Sequence, residues 1–175
     1  KRLEKEAVES VAVCLLHAYA FPEHERLVGR VLREQLPGIP VSLSSEVLPE
    51  RKEYERTATT AVNAYVRPIM RRYLHALRQG LRVMQIEAPL LIMQSGGGLT
   101  PESDAALRPV FALESGPAAG VLAARFTARR MGLEDVITLD MGGTTAKAAM
   151  IEKGRITYNP EYEVGASLSA SSRLM

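Results

Sequence analysis

The chain is poor in the features that mark several classes of protein. Its 175 residues include one cysteine, no tryptophan and 5% aromatic residues. The single Cys14 excludes a disulfide framework within the chain and favours a reducing, cytoplasmic setting. No apolar run reaches the ~20 residues that a membrane-spanning helix needs, so we expect no membrane partner. Lys and Arg total 22 against 20 Asp and Glu, and this net charge of +2 argues against a nucleic-acid partner.

What the chain does contain is the composition of a folded domain. Hydrophobic residues make up 46% and charged residues 24%, the usual globular mixture rather than that of a disordered chain. By a prior of about 150 residues per domain, this length corresponds to one domain or slightly more. The sequence begins at Lys1 in mid-pattern, and we expect it to be an internal piece of a longer polypeptide.

The first half of the sequence predicts a βαβ unit followed by a long helix. Residues 11–16 are a short apolar run typical of a buried strand, Pro22 opens a segment with helical spacing, and residues 39–47 indicate a second strand. Tight connections in such a unit favour a parallel strand pair. Residues 53–85 carry the longest helical pattern, with an apolar stripe that we expect in the core. The stripe consists of Val62, Tyr65, Val66, Ile69, Tyr73, Leu77, Leu81 and Met84.

The second half predicts further strands, one helix and a hairpin. A helix rich in small residues is expected at 117–131, and Gly132 is expected to end it. Lys153 and Gly154 provide a turn between the last two predicted strands. Strands are predicted at 89–94, 136–139, 146–151 and 155–158.

The most specific motif is LDMGGTT. A predicted buried strand carries Asp140 to its carboxyl end, and Gly142 and Gly143 then allow backbone N–H groups to approach an anion closely. The hydroxyls of Thr144 and Thr145 can donate further hydrogen bonds to phosphate oxygens. A carboxylate beside such a loop is suited to holding a hydrated Mg²⁺. The motif predicts a nucleotide-phosphate site, and the alternative from these residues alone is a glycine-rich turn capped by Asp140.

A second glycine-rich segment follows the strand at 89–94. Ser95, Gly96 and Gly97 could cradle phosphate or substrate, or could form a tight loop past which another backbone packs, and both interpretations stay open. A serine hydrolase is disfavoured, because all three histidines precede Ser95 whereas the hydrolase order places histidine last.

The entry into the helix at 117–131 supplies three further candidates. Ser115 and Gly116 are expected to serve this entry, with Ser115 as the N-cap. Glu114 is a weaker site candidate, and equally a capping or salt-bridge residue.

These motifs together resemble a known family. The Gly-Pro-Ala-Ala helix followed by the strand, Asp140, the loop and a hairpin resembles the second phosphate loop and connecting helix of actin-like ATPases. The blocks YERTATTAVNAYVRP, IMQSGGGLT, LESGPAAGV and LDMGGTTAKAAMIEKG, in this order, are similar to the hydantoinase A and 5-oxoprolinase family. That family includes ATP-dependent N-methylhydantoinases, 5-oxoprolinases and related ketone carboxylases.

The resemblance implies an α/β fragment of the actin-like ATPase (ribonuclease H-like) fold, with a mixed sheet and flanking helices. Residues 1–132 would form the latter part of the first lobe, and residues 133–175 the opening phosphate-loop hairpin of the second. Members of the family are several times longer, so this piece would hold half of the active site and be inactive alone. The implied partners are the rest of the parent chain, a second, beta-type subunit and further copies in an oligomer.

The implied activity is ATP-dependent hydrolysis of a cyclic amide or imide, in which the ring carbonyl is phosphorylated before water opens the C–N bond. A ketone carboxylase subunit of the same family, and a non-enzymatic nucleotide-gated scaffold or chaperone, are the alternatives. The cofactors would be ATP with Mg²⁺ or Mn²⁺, the metal held by the catalytic Asp140 through water. The implied cofactor-binding residues are Gly142, Gly143, Thr144, Thr145, Ser95, Gly96, Gly97 and Gly116.

One position departs from the pattern of many relatives. Where a GGTSTD string places an Asp, this chain has Lys147. A second acid near the metal is therefore missing. Lys147 could contact phosphate or could be a solvated hairpin residue, and the sequence leaves both open.

Overall fold

The computed structural model describes residues 2–157, and within them the chain forms six α-helices, one 3₁₀ turn and seven β-strands. In chain order these are α1 (Arg2–Lys5), β1 (Val11–Val13), α2 (Glu23–Gln35), β2 (Val41–Leu43), α3 (Ser44–Val47), α4 (Glu53–Val83), β3 (Leu91–Met93), β4 (Leu99–Pro101), α5 (Glu102–Leu107), the 3₁₀ turn (Pro109–Ala112), α6 (Ser115–Arg130), β5 (Val136–Met141), β6 (Ala146–Glu152) and β7 (Arg155–Ile156).

The chain divides into two compact units. Of the described residues, the first unit comprises 2–94 together with Leu99–Leu113, and the second comprises Ser95–Gly98 and 114–157. The predicted boundary lies after residue 132, whereas the structure groups α6 with the β5–β6 hairpin. The correspondence of these units to the lobes of an ATPase stays a prediction.

The first unit is built on the predicted βαβ arrangement. β1 and β2 pair in parallel, with Val11 aligned to Val41, and α2 connects them. The helix approaches the sheet closely at Gly29, where an added Cβ would lie 3.0 Å from Leu43 Cδ1. The predicted parallel pairing of β1 with β2 is therefore confirmed. The hydrophobic core of this βαβ unit consists of Val13, Val41 and Leu43, with Val11 and Leu32 packed against them.

Both strands of this pair are shorter than predicted. β1 ends at Val13, and the second strand stops at Leu43 because the next residues form α3. The side chain of Glu25 accepts hydrogen bonds from the backbone N–H groups of Leu15 and Ser45, each at 2.8 Å. These bonds take up donors that a longer ladder would use, which accounts for the early ends.

α4 confirms the predicted long helix and continues through Pro68 and Gly80. The expectation that its apolar stripe lies in the core is wrong for four members of the stripe. Tyr65, Ile69, Tyr73 and Met84 are 77%, 54%, 59% and 70% exposed. The buried face of α4 carries polar residues instead, because it docks on strand ends whose carbonyl and hydroxyl groups need partners. Its buried residues are Arg56, Thr60, Asn63, Ala64 and Leu74.

In the second unit, α6 leads into an antiparallel sheet of order β5–β6–β7. Gly132 ends the helix with a φ of 74°, its N–H donating to Arg129 O at 3.3 Å, as predicted. Lys153 and Gly154 both have positive φ in the turn between β6 and β7, which suits a tight hairpin. The predicted strand at 155–158 is confirmed for Arg155–Ile156. Thr157 lies beyond the end of β7, and position 158 lies outside the described residues.

The strand predicted at 89–94 is present as β3, which pairs with β4 in an antiparallel hairpin. The expectation that this strand is buried is wrong, since Leu91 is 49% exposed. Parallel and antiparallel pairing thus both occur, in three separate sheets of the described part. No described helix combines the length and apolar content required to cross a membrane.

Candidate functional site

The β5–β6 hairpin presents the predicted loop. Asp140 is the penultimate residue of β5, and Gly142 N donates to Thr145 O at 2.9 Å. This bond closes a short loop with Gly143 and Thr144 at its tip. Asp140 and the four loop residues are all exposed, so the structure brings five of the predicted site residues together on one accessible turn.

The space around the two loop glycines is open. A Cβ added at Gly143 would meet no atom within 4 Å, and one at Gly142 would meet only Thr145 O at 4.0 Å. The glycines with left-handed φ lie elsewhere in the described chain, so turn conformation does not require glycine here. What glycine provides at these positions is room beside the backbone, which permits the close approach of an anion.

Asp140 offers the loop a single carboxylate. In the described part of the chain, no group of three or more His, Cys, Asp or Glu side chains could hold a metal ion. Mg²⁺ usually keeps several waters and is held through one or two carboxylates together with substrate phosphates. One carboxylate beside an anion-accepting loop therefore fits Mg²⁺ better than a metal that needs a cage of protein ligands.

Lys147 lies directly opposite Asp140 in the strand register. Its ammonium forms an ion pair with the carboxylate of Glu114, and the two side chains are 37% and 40% exposed. Lys147 is therefore not simply a solvated hairpin residue, and the salt-bridge interpretation of Glu114 is confirmed. The expectation that Ser115 caps α6 is wrong: Ser115 is the first helical residue, Glu114 occupies the N-cap position, and no side chain caps this end.

The Ser95–Gly98 loop joins β3 to β4 and groups with the unit that contains Asp140. Gly97 has a φ of 81°, which favours glycine for conformational reasons. Gly96 and Gly116, by contrast, border open space, since an added Cβ at either would meet nothing within 4 Å. All the predicted cofactor-binding residues thus lie in the second unit. Whether Ser95, Gly96 and Gly116 contact the same ligand as the hairpin loop stays a prediction.

The first unit contains a polar cluster that sequence reasoning missed. Glu25, with none of its surface exposed, accepts hydrogen bonds from Ser44 Oγ at 2.6 Å and from the N–H groups of Leu15 and Ser45. Burial raises the pKa of the Glu25 carboxyl, but these hydrogen bonds outweigh it and hold the pKa below its usual range. The cluster lies at the carboxyl ends of β1 and β2. No local pattern separates Glu25 from the exposed acids of the same helix, so the sequence carried no signal for it.

Arg56 completes this cluster from α4. Its guanidinium donates to Leu15 O at 2.9 Å and to Glu50 O at 3.0 Å, and lies 5.6 Å from the centre of the Tyr19 ring. Cys14 Sγ lies 2.9 Å from Thr57 Oγ1 nearby. The buried arginine and glutamate therefore fix the two strand ends by bonding to their backbone.

Two protein-family models match this chain. The model described as Hydantoinase/oxoprolinase matches residues 56–175, and the model of the Hydantoinase/oxoprolinase N-terminal region matches residues 1–36.

Two relatives align with most of this chain, and the aligned region is a small part of each relative's own length. The alpha subunit of caprolactamase from Pseudomonas jessenii is 34% identical over 90% of this chain and 23% of its own length. The 5-oxoprolinase of Saccharomyces cerevisiae is 34% identical over 90% of this chain and 12% of its own length. The chain therefore spans less than a quarter of the length of either relative.

Two solved structures share the fold. Nucleotide-free acetone carboxylase superposes with a TM-score of 0.76 at 28% identity, over 89% of this chain and 22% of that one. The ATP-dependent caprolactamase of Pseudomonas jessenii superposes with a TM-score of 0.75 at 35% identity, over 85% and 21%. The α/β fold class is thereby confirmed, and the architecture is consistent with a fragment of an actin-like ATPase.

Proposed function

Because the chain belongs to the hydantoinase/oxoprolinase family, we propose that its parent protein is an ATP-dependent hydrolase of C–N bonds in cyclic amides or imides. This chain would contribute the phosphate-loop hairpin, which is half of the ATP site, so we expect no activity from it alone. The observation that carries the proposal is the β5–β6 hairpin, where Asp140 adjoins a loop whose Gly143 borders open space.

The chemistry explains why ATP is needed. A ring amide is a poor electrophile, because resonance between nitrogen and the carbonyl stabilises it. Transfer of the γ-phosphoryl group of ATP to the carbonyl oxygen would release ADP and make the carbonyl carbon electrophilic. Water would then add to that carbon, the ring nitrogen would take up a proton and leave as the C–N bond breaks, and a second water would hydrolyse the resulting acyl phosphate to a carboxylate and inorganic phosphate. Phosphoryl transfer asks the protein mainly for positioning and charge neutralisation.

The loop residues supply both requirements. Asp140 would hold Mg²⁺ or Mn²⁺ through water, and the metal when bound would neutralise charge on the phosphate oxygens. The backbone N–H groups of Gly142 and Gly143 and the hydroxyls of Thr144 and Thr145 would donate hydrogen bonds to those oxygens. Ser95, Gly96, Gly97 and Gly116 would border the same ligand, on the ground that they belong to the same compact unit.

The ketone carboxylase alternative is favoured by one observation, the close superposition on acetone carboxylase. In that case the same hairpin would serve ATP-dependent carboxylation. The caprolactamase relative is named as an alpha subunit, which supports our proposal that the parent protein works with a second subunit. A reducing, cytoplasmic location remains part of the proposal and is supported by the single cysteine.

The test is phosphate release from ATP by the full-length parent protein with any co-purifying subunit. Hydantoin, 5-oxoproline, caprolactam, and acetone with bicarbonate are offered in turn, and Asp140→Asn is compared with Glu134→Gln, an exposed acid of the same unit. One ring compound should stimulate release, and Asp140→Asn should reduce it about 100-fold or more, the usual loss when electrostatic stabilisation of a transition state is removed. Glu134→Gln should leave the rate unchanged.

The other outcomes separate the alternatives. Stimulation by acetone with bicarbonate alone would assign the carboxylase activity. ATP turnover that ignores every substrate would point to a nucleotide-gated scaffold. Full ring-dependent activity in Asp140→Asn would contradict the role given to the hairpin.

A further inference from the structure

Lys147 lies beside the candidate phosphate loop, opposite Asp140 in the β5–β6 pair. Directly opposed residues of an antiparallel pair place their Cβ atoms about 4.5–5.5 Å apart on one face. The Asp140–Lys147 pairing therefore sets a lysine stem beside the carboxylate that adjoins the loop. The lysine side chain is half-buried, yet its long stem and three rotating donors allow its ammonium to take more than one partner.

In the structure the ammonium of Lys147 forms an ion pair with the carboxylate of Glu114. Glu114 has a φ of 59°, a left-handed conformation that is unfavourable for a residue with a side chain. It precedes α6 directly, so the ion pair connects the start of that helix to β6. A pair this exposed contributes little to stability and breaks at low cost.

The charges of the three groups are unbalanced. Asp140 and Glu114 carry two negative charges against the single positive charge of Lys147. A polyphosphate at the loop would present several negative charges to the same ammonium, together with unshared oxygen acceptors. A phosphate group carries more negative charge than one carboxylate and offers three acceptor oxygens, and the half-exposed pair with Glu114 costs little to break. We therefore expect a bound phosphate to replace Glu114 as the partner of the ammonium.

We propose that Lys147 is a phosphate-binding residue whose ammonium pairs with Glu114 until a nucleotide binds. In the nucleotide-free protein its ammonium pairs with Glu114, and on nucleotide binding it moves to a phosphate oxygen and frees the carboxylate at the start of α6. This inference rests on the proposed function, because it presumes that the hairpin loop receives a nucleotide.

The proposal gives the two partners opposite effects on binding. Lys147→Gln removes a donor to phosphate and should weaken nucleotide affinity about 10- to 100-fold, the usual range for a hydrogen bond to a charged group. Glu114→Gln removes the competitor for the ammonium and should strengthen affinity about two- to five-fold. A pair with a purely structural role would make both substitutions weaken binding.

The experiment is calorimetric titration of the full-length parent protein, with any co-purifying subunit, with the non-hydrolysable analogue AMPPNP and Mg²⁺. The variants are Lys147→Gln, Lys147→Arg, Glu114→Gln and the double variant, with Asp140→Asn measured alongside. Lys153→Gln and Glu152→Gln, exposed residues at the far end of the hairpin, are the matched controls and should bind like the wild type. Lys147→Arg should retain most of the affinity, and thermal unfolding of each variant confirms that it folds.

The double variant provides the decisive readout. The gain from Glu114→Gln should disappear in the Lys147→Gln background, because the freed ammonium is then absent. If both single substitutions weaken binding equally, or Lys147→Gln changes nothing while Asp140→Asn weakens binding, Lys147 does not bind phosphate and the nucleotide site itself stands. If the wild type fails to bind the analogue, the proposed function is wrong and this inference falls with it.

Discussion

Replacing Glu25 by Gln should loosen the carboxyl ends of β1 and β2. The carboxylate is fully buried and accepts three hydrogen bonds, from Ser44 Oγ, Leu15 N and Ser45 N, at 2.6–2.8 Å. Glutamine has nearly the same shape as glutamate but only one acceptor oxygen. Its amide NH₂ takes the place of the second carboxylate oxygen and therefore faces an N–H or O–H donor that this oxygen had bonded. At least one charge-assisted bond is therefore lost, and one donor is left facing another.

The expected cost is about 2–3 kcal/mol, the range for removing a hydrogen bond to a charged group within the protein. It corresponds to opening of the strand ends that is about 30- to 150-fold more frequent. Because the pKa of the Glu25 carboxyl lies below its usual value, the stabilisation from this carboxylate is complete above that usual value. It is lost as the pH falls through the lower pKa of the folded state.

The assay is hydrogen–deuterium exchange of the full-length protein, read on peptides that cover residues 11–16 and 41–46. Glu23→Gln, an exposed acid two residues earlier on α2, is the matched control. Glu25→Gln should speed exchange in both peptides at pH 7, Glu23→Gln should not, and the difference from wild type should narrow below about pH 4. Equal exchange in the two variants, or a difference that grows towards acid pH, would refute the assigned role of the carboxylate.

Three further predictions concern Gly80, Gly29 and Cys14. Alanine at Gly80, an exposed helical position with open space around it, should stabilise the protein by about 0.5–1 kcal/mol. The same change at Gly29 should give no gain or a loss in thermal unfolding, because the new Cβ would lie 3.0 Å from buried Leu43. Burial raises the pKa of the Cys14 thiol, but hydrogen bonds from Thr57, Ser44 and Arg56 outweigh it. The pH midpoint of Cys14 alkylation by iodoacetamide should accordingly lie below that of an unperturbed cysteine thiol, and Thr57→Val should move this midpoint upward.

The parts of the fold that the sequence predicted are those with local causes. The βαβ unit follows from two apolar runs around one helical segment, and the turn between β6 and β7 follows from Gly154, which adopts a positive φ without strain. The loop at Asp140 was predictable because its residues are contiguous. Each of these features depends on neighbours within a few positions.

The parts that were missed depend on distant partners. The docked face of α4 is polar because Asn63 Nδ2 donates to Ser42 Oγ at 3.0 Å and Arg67 Nη1 donates to Val41 O at 2.6 Å. Hydrophobic periodicity locates an apolar stripe, and it contains no information about carbonyl groups at the end of another element. The Glu114–Lys147 pair was missed as a pair for the same reason, since it joins residues 33 positions apart in sequence, 147 − 114.

The hairpin shows how the site and the fold depend on one choice of register. Along β5, Ile137 and Leu139 point to one face and are 74% and 69% exposed, whereas Asp140 shares the other face with Thr138. If the pairing of β5 with β6 shifted by one residue, each side chain of β5 would turn to the opposite face of the sheet. Asp140 would then no longer lie opposite Lys147, and an apolar residue of β5 would take its place. The bond from Gly142 N to Thr145 O closes the loop in the register that avoids this. The glycines of the candidate phosphate loop therefore belong to the same turn that sets the carboxylate and the lysine side by side.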